Sequence, residues 1–333
     1  EDVVTDQVKQ TVFSGVQPSG AMHLGGYLGA FRNWVALQDD DSYDVVYCIV
    51  DLHAMTVPYD PTDFHRIRLD TAKVVLALGI DPDRSLLYMQ SQVPQHAELA
   101  WILGTLTPTG VLNRMTQHKD KVDKGVPSNL GLYSYPVLMA ADILMFKSTR
   151  VPVGQDQKQH VEMARDIAQR FNHHYGEVFV LPEAVIGGDT AVLKGLDGRK
   201  MSKSYNNTIP LFADEKRLRK LIMKIKTNSL EPGEAKDPSD STLFDIYKAF
   251  ATPEEAAEIA QRYADGIAWG EMKQVLFEYI NEQIKPAREE YQRLIADPAV
   301  VEAELKKGAD KAREISVPYL AEIREAIGIR KLG

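Results

Sequence analysis

Residues 11–26 read Thr11-Val12-Phe13-Ser14-Gly15-Val16-Gln17-Pro18-Ser19-Gly20-Ala21-Met22-His23-Leu24-Gly25-Gly26. An apolar strand-type run over 12–17 gives way to Pro, Ser and Gly, and then to a histidine and two glycines that open a helical pattern over 26–38. A strand-to-helix turn of this kind leaves helix N-terminal N–H groups open to a phosphate. Further strand-type runs are expected at 45–50, 85–90, 150–153 and 177–181, with helical patterns at 62–78 and 159–171 between them. Strands alternating with helices predict an α/β fold with a doubly wound parallel sheet, whose ligands sit beyond the carboxyl ends of the strands. The 17–26 turn and the turn Gly154-Gln155-Asp156-Gln157 both fall there.

Much further along stands Lys200-Met201-Ser202-Lys203-Ser204, preceded by Gly198-Arg199. A lysine-rich loop alone is usually a solvated surface loop. Five fixed residues, however, recur by chance in a chain this long about once in ten thousand. Two lysines among hydroxyls form a polycation, and paired with the His23 turn they outline chemistry at the α-phosphate of ATP.

The two segments resemble the HIGH-type and KMSKS signatures of class I aminoacyl-tRNA synthetases. Phe13 to Gly20, Tyr135-Pro136-Val137-Leu138-Met139-Ala140-Ala141-Asp142 and Val151-Pro152-Val153-Gly154-Gln155-Asp156-Gln157 resemble the tryptophanyl-tRNA synthetases in particular. The matches cover about 12–205 in one order, which is more than half of the chain. The resemblance implies a Rossmann-type catalytic domain over 1–205, with a helical insertion at about 105–145, and a helical tRNA (anticodon)-binding domain over 206–333. It also implies ATP as co-substrate with Mg²⁺ carried on the triphosphate, tryptophan and tRNA(Trp) as partners, and a homodimer.

By the same resemblance, His23, Lys200 and Lys203 are catalytic. Gln17, Pro18, Ser19, Gly25, Gly26, Gly154, Gln155, Asp156, Val192, Met201, Ser202 and Ser204 complete the ATP site. Phe13, Gly15, Tyr135, Met139, Asp142, Val151, Val153 and Gln157 form the amino-acid site. No enzyme nucleophile or fixed metal is needed, because adenylyl transfer rests on positioning and electrostatics. Neither His118, His160, His173 and His174 nor any carboxylate cluster forms a metal set. Gly195 and Gly198 are expected to let the lysine loop close over ATP.

Asp142 is the sharpest single residue. It is the only ionisable carboxylate in the helical pattern 133–146, with Leu138, Met139, Met145 and Phe146 around it. A carboxylate buried there needs a donor. That donor is either an internal partner or, as the resemblance implies, the indole N–H of tryptophan. Tyrosine is the alternative substrate; relatives that charge tyrosine carry Gln where Met139 stands. Asp51 and His53 also end a strand at the ligand edge, with no role assigned.

The remaining features bound the class. With 333 residues, 44% hydrophobic and 26% charged, the chain has room for two domains. The formal net charge of −8 argues against a generic nucleic-acid binder, but two local basic patches, 114–121 and 216–226, leave tRNA phosphate contacts open. The single Cys48 lies in an apolar run, so a buried thiol and a cytoplasmic home are expected. Glu1-Asp2 offers no signal-peptide pattern, no run suits a membrane span, and a chain without an initiator Met is expected to begin inside a longer product. Past 205 the pattern turns helical: Thr252-Pro253-Glu254-Glu255 is a capping box, 230–240 is a joining loop, and Pro286 is expected to kink or break the helix around it.

Some residues depart from the family. Gly26 stands where Asn or His is usual, and Gly187-Gly188-Asp189-Thr190 and Asn206-Asn207-Thr208 are unusual runs. They mark a divergent member and raise the hypothesis of a second copy beside a housekeeping enzyme. A dehydrogenase reading of Gly25-Gly26-x-x-Gly29 fails on spacing and leaves the lysine loop unexplained. A non-catalytic RNA-binding paralogue would be expected to lose His23 or the lysines, and all are present.

Overall fold

The structure is a computed structural model and describes residues 8–18, 22–187 and 192–333. Five parallel strands, β1 (Gln10–Val16), β2 (Tyr43–Ile49), β3 (Leu86–Met89), β4 (Arg150–Val153) and β5 (Glu183–Ile186), form one sheet in the order β3-β2-β1-β4-β5. Val12 pairs with Val45 of β2 on one side and with Arg150 of β4 on the other, so the strand order reverses at β1. The crevice beyond the ends of β1 and β4 is therefore the switch point of the sheet, the usual ligand position.

Helices cover both faces, so the strands are apolar on both. Val12, Val45, Tyr47, Ile49, Leu87 and Met89 bury on one side. Phe13, Val46, Cys48, Tyr88 and Val151 bury on the other, against Ala140, Ala141 and Phe146. Alternation along each strand thus feeds two cores at once. Cys48 is fully buried, and burial first of all pushes its thiol well above its ordinary pKa.

Two local expectations need correction. The apolar stretch 177–181 is not the fifth strand; pairing begins after Pro182, with Glu183 opposite Arg150. Its polar groups go to Asn172 instead, whose Oδ1 accepts from the N–H of Val178 and Phe179, while Phe179 packs on Phe171 and Tyr319. Burial against a helix end, not pairing, explains the apolar run. Nor does Pro286 break its helix, which runs as Trp269–Ala296. Pro286 and Glu282 are exposed, so the carbonyl freed by the missing N–H faces water. Met272, Leu276, Ile280 and Ile284 hold the opposite face in the core.

At 252–255 the N-cap half of the expected capping box forms: Thr252 Oγ1 accepts from the Glu255 N–H and Pro253 takes the first helical position. The final helix, Pro298–Ala326, returns to the sheet. Gly308 lies so close to β3 that a Cβ there would sit 1.7 Å from the Leu87 carbonyl oxygen, and Ala312, Tyr319 and Leu320 join the core of the sheet half. No described helix is long and apolar enough to cross a membrane.

Candidate active site

The helix Leu130–Met145 carries Tyr135, Met139 and Asp142 under the ends of β1 and β4. Asn129 caps it by accepting from the Leu132 N–H. Asp142 is 1% exposed. Its Oδ2 accepts from His53 Nε2 at 2.6 Å and its Oδ1 from Gln90 Nε2 at 2.8 Å. His96 Nδ1 lies 2.7 Å from Oδ1 but off the hydrogen-bonding line, and His96 Nε2 is 2.8 Å from the Tyr88 hydroxyl. Burial alone would raise the Asp142 carboxyl; the nearby charges of His53 and His96, with the His53 hydrogen bond, outweigh it and hold it at about 2. Protein donors therefore satisfy this carboxylate in part. A carboxylate has about four acceptor positions and two are taken here, so capacity is left for a further donor.

Tyr135 is the hub of the polar side. Gln17 Nε2 donates to its hydroxyl at 3.4 Å, and the rings of His53 and His160 stand 4.3 Å and 5.8 Å from its own. Burial raises its phenol to about 12. The Lys121 ammonium lies 5.4 Å from the Tyr135 centroid, and partial burial lowers its pKa. Phe13 stacks on Phe146 at 6.3 Å and shares one apolar cluster with Val151, Val153 and Met139. Four of the expected amino-acid-site residues thus share one core with the helix that carries Asp142 and Tyr135. Gly15 pairs with Cys48 at the end of β1.

After β4, Gly154 to Gln157 form a single turn in which Gln155 and Asp156 are exposed. Gln157 Oε1 accepts from His160 Nδ1 at 2.7 Å, which fixes the amide. Burial first, aided by the charges of His53 and Lys121 and opposed by Asp156, lowers His160 to about 4. An unfolded histidine titrates near 6.5. Between roughly pH 6.5 and 4 the unfolded chain takes this proton and the folded chain does not, so stability falls as pH drops through that window. The loss is at most roughly 3 kcal/mol. Urea midpoints at pH 7 and pH 4.5 will show a smaller fall in His160→Gln than in the wild type; equal falls would refute the assignment.

His23 caps the first helical turn, its Nδ1 accepting from the Gly26 N–H at 3.3 Å. That bond leaves the ring proton on Nε2. Burial, and then the charge of Lys203, lowers the His23 pKa, so the imidazole is neutral at pH 7 and offers an N–H rather than a cation. The helix Leu24–Gly26 continues through a π-helical turn, Tyr27–Phe31, into Arg32–Asp39.

The lysine loop is a hairpin, with Lys194 bridged to Lys200 and the Met201 N–H on the Leu193 carbonyl. Met201 is buried while Lys200, Lys203 and Ser204 are exposed, and the Ser202 and Ser204 hydroxyls meet at 2.8 Å. Val192 is exposed beside the loop. Pro18 is buried at the end of β1; Ser19 and 188–190 lie outside the described residues. The strap 209–211 fastens this region to the His23 turn: the Ile209 carbonyl takes the Leu24 N–H and the Leu211 N–H reaches the Met22 carbonyl.

Sequence reading missed Gln90 and His96, whose positions follow no motif, and it assigned no role to His53. Asp51 is tied internally, accepting from Arg68 Nε and the Ser91 N–H, each at 2.9 Å.

A sequence model described as tRNA synthetases class I (W and Y) matches residues 5–285. The chain belongs to that family. Within it, the chain is 49% identical to the tryptophan–tRNA ligase of Xanthomonas campestris pv. campestris, over 98% of this chain and 78% of that one. It is 47% identical to the tryptophan–tRNA ligase of Neisseria meningitidis serogroup A, over 97% and 99% of the two chains. The tryptophanyl-tRNA synthetase of Campylobacter jejuni, solved with ADP and tryptophan, superposes with a TM-score of 0.89 at 44% identity, over 96% of this chain and all of that one. A tyrosyl-tRNA synthetase from Archaeoglobus fulgidus, at 22% identity and a TM-score of 0.63, shares the fold.

Proposed function

We propose that this protein activates L-tryptophan with ATP to tryptophanyl-adenylate and pyrophosphate, and then transfers tryptophan to the 3′ end of tRNA(Trp). The observation that carries this reading is Asp142: a buried, ionised carboxylate beside an apolar slot, with acceptor capacity left, in a member of the tryptophan and tyrosine family. The indole ring lies against Phe13, Met139, Val151 and Val153, and its N–H donates to Asp142. Met139 and its apolar neighbours offer no partner to a phenol, which disfavours tyrosine. Tyr135 and Gln157 take the α-ammonium, and that directs the carboxylate at the α-phosphorus.

ATP enters at the switch point, with adenosine over Gly154 to Asp156 and Val192 and the phosphates between His23 and the lysine loop. Attack is in line; no protein nucleophile takes part. His23 donates from Nε2 to the phosphate oxygens, while Lys200 and Lys203 stabilise the charge that grows on them and on the departing pyrophosphate. Mg²⁺ travels with the triphosphate. The reading places the reaction in the cytoplasm.

The helix Glu215–Met223 buries Leu218 and Ile222 and exposes Lys216, Arg217, Arg219 and Lys220. This basic face, with the helices beyond it, is assigned to tRNA. Trp101 is 78% exposed, and a large aromatic of this kind is best buried in a protein contact. We assign it to a homodimer face. Sedimentation at micromolar concentration will give a dimer for the wild type and a monomer for Trp101→Glu; an unchanged dimer would refute that face.

Tryptophan, tyrosine and phenylalanine offered separately in ATP–pyrophosphate exchange test the whole reading. Exchange with tryptophan alone is expected, and exchange with tyrosine alone would overturn the pocket assignment.

A further inference from the structure

Asn207 is 2% exposed and spends its whole side chain on the lysine loop. Its Oδ1 accepts from the Ser202 N–H at 2.9 Å. Its Nδ2 donates to Asp197 Oδ1 at 2.8 Å, the Lys200 carbonyl at 3.0 Å and the Arg199 carbonyl at 3.3 Å. Its own carbonyl takes the Leu196 N–H at 3.0 Å. One residue thus ties the hairpin turn at 196–197 to the main chain on either side of Met201.

The backbone is built around this contact. Asn206 has φ +51°, a left-handed turn that Asn tolerates and that swings the next residue inward. Gly195 leaves the space: a Cβ there would lie 2.4 Å from the Asn207 side chain and from its carbonyl oxygen. Asp197 is held at about 2, by the Asn207 amide first and by Arg199 after it, so the amide donates to a full carboxylate. Immediately downstream, Ile209 and Leu211 pair with Leu24 and Met22, and Pro210 bridges His23.

We infer that Asn207 is a positioning residue for adenylate formation: it fixes the lysine-loop backbone in register with the His23 turn. Its truncation removes no phosphate-binding side chain but lets the loop that carries Lys200 and Lys203 drift from the histidine. Misplacement of about 1 Å costs roughly 100-fold in rate when catalysis depends on alignment. Because the proposed reading has Lys200 and Lys203 act on the phosphates during adenylate formation, the effect is expected in the first step rather than in transfer. The inference rests on the reading of this site as an adenylate-forming one.

The test uses the full chain with Asn207→Ala and Gly195→Ala, the second displacing the amide from the opposite side. Four quantities are read: tryptophan-dependent ATP–pyrophosphate exchange, tryptophan affinity by calorimetry without ATP, transfer to tRNA from separately prepared tryptophanyl-adenylate, and the thermal midpoint. Both variants are expected to lose roughly 10–100-fold in exchange. Tryptophan affinity and transfer are expected to stay within about twofold of wild type. Unchanged exchange in a folded Asn207→Ala would overturn the inference, as would a parallel loss in all activities, the mark of a scaffold residue. If Asn207→Ala does not fold, Gly195→Ala decides by the same readings. A wild-type chain that shows no tryptophan-dependent exchange would instead remove the underlying reading and this inference with it.

Discussion

Asp142→Asn will lower kcat/KM for tryptophan in ATP–pyrophosphate exchange by about a thousandfold, and its preference for tryptophan over phenylalanine will collapse. On the proposed reading, the charge-assisted bond from the indole N–H to Asp142 contributes about 1.5–3 kcal/mol. An amide in its place must also turn its NH₂ toward one of the donors that Asp142 now accepts from, His53 or Gln90. Two opposed donors in a buried site cost a further 1–3 kcal/mol or so. Together these come to roughly 4 kcal/mol, or about three decades in rate.

In the wild type, phenylalanine leaves the remaining acceptor direction empty, and sites of this kind reject such an analogue by roughly 10⁴–10⁵. The Asn variant has no such acceptor to leave empty, so the ratio should drop below about 10². The carboxyl is held at about 2, so no acid limb from Asp142 will appear in the wild-type profile between pH 5 and 9. Its contribution to stability is present above about 3.9 and is lost as pH falls from there through about 2. Retained discrimination in a folded Asp142→Asn would remove the residue from the specificity assignment.

The need for a donor at Asp142 was legible because only one carboxylate sits in an apolar helical pattern. The donors were not, since His53 stands 89 residues away and Gln90 52, and only the sheet brings their loops together. The same limit governs the fold. Four strands were legible because a parallel sheet covered on both faces writes itself as short apolar runs. The fifth was misplaced because 177–181 is equally apolar for a different reason, its packing on Phe171 and Tyr319. No break occurs at Pro286: a local rule about helix interiors does not see which side faces water. Composition also marked everything past 205 as helical, but it carried no sign that Gly308 brings the last helix back onto β3.

The lysine loop and the histidine turn were each legible as motifs; their electrical coupling was not, and it sets the second large effect. Lys203→Ala will slow adenylate formation roughly 10²–10³-fold, the scale on which one well-placed stabiliser of developing charge acts. Tryptophan affinity, which the proposed reading assigns to residues of the helix Leu130–Met145 and its apolar neighbours, will not change. The same substitution will shift His23. Burial and the Lys203 charge both depress that imidazole, in that order, so removing the lysine lifts the second cause and raises the pKa toward its ordinary value.

At pH 6 a larger fraction of His23 therefore carries a second proton in the variant than in the wild type. That proton falls on Nδ1, where the ring now accepts from the Gly26 N–H, so protonation also undoes the first helical cap. Imidazole resonances followed by NMR across pH 4–8, with His23→Gln to assign the signal, measure the shift. A large rate loss with an upward His23 titration would establish that the loop lysine serves both as a stabiliser of charge and as the group that keeps the histidine neutral. A rate loss without any change at His23 would separate the two roles and leave burial alone to hold the imidazole in its donor form.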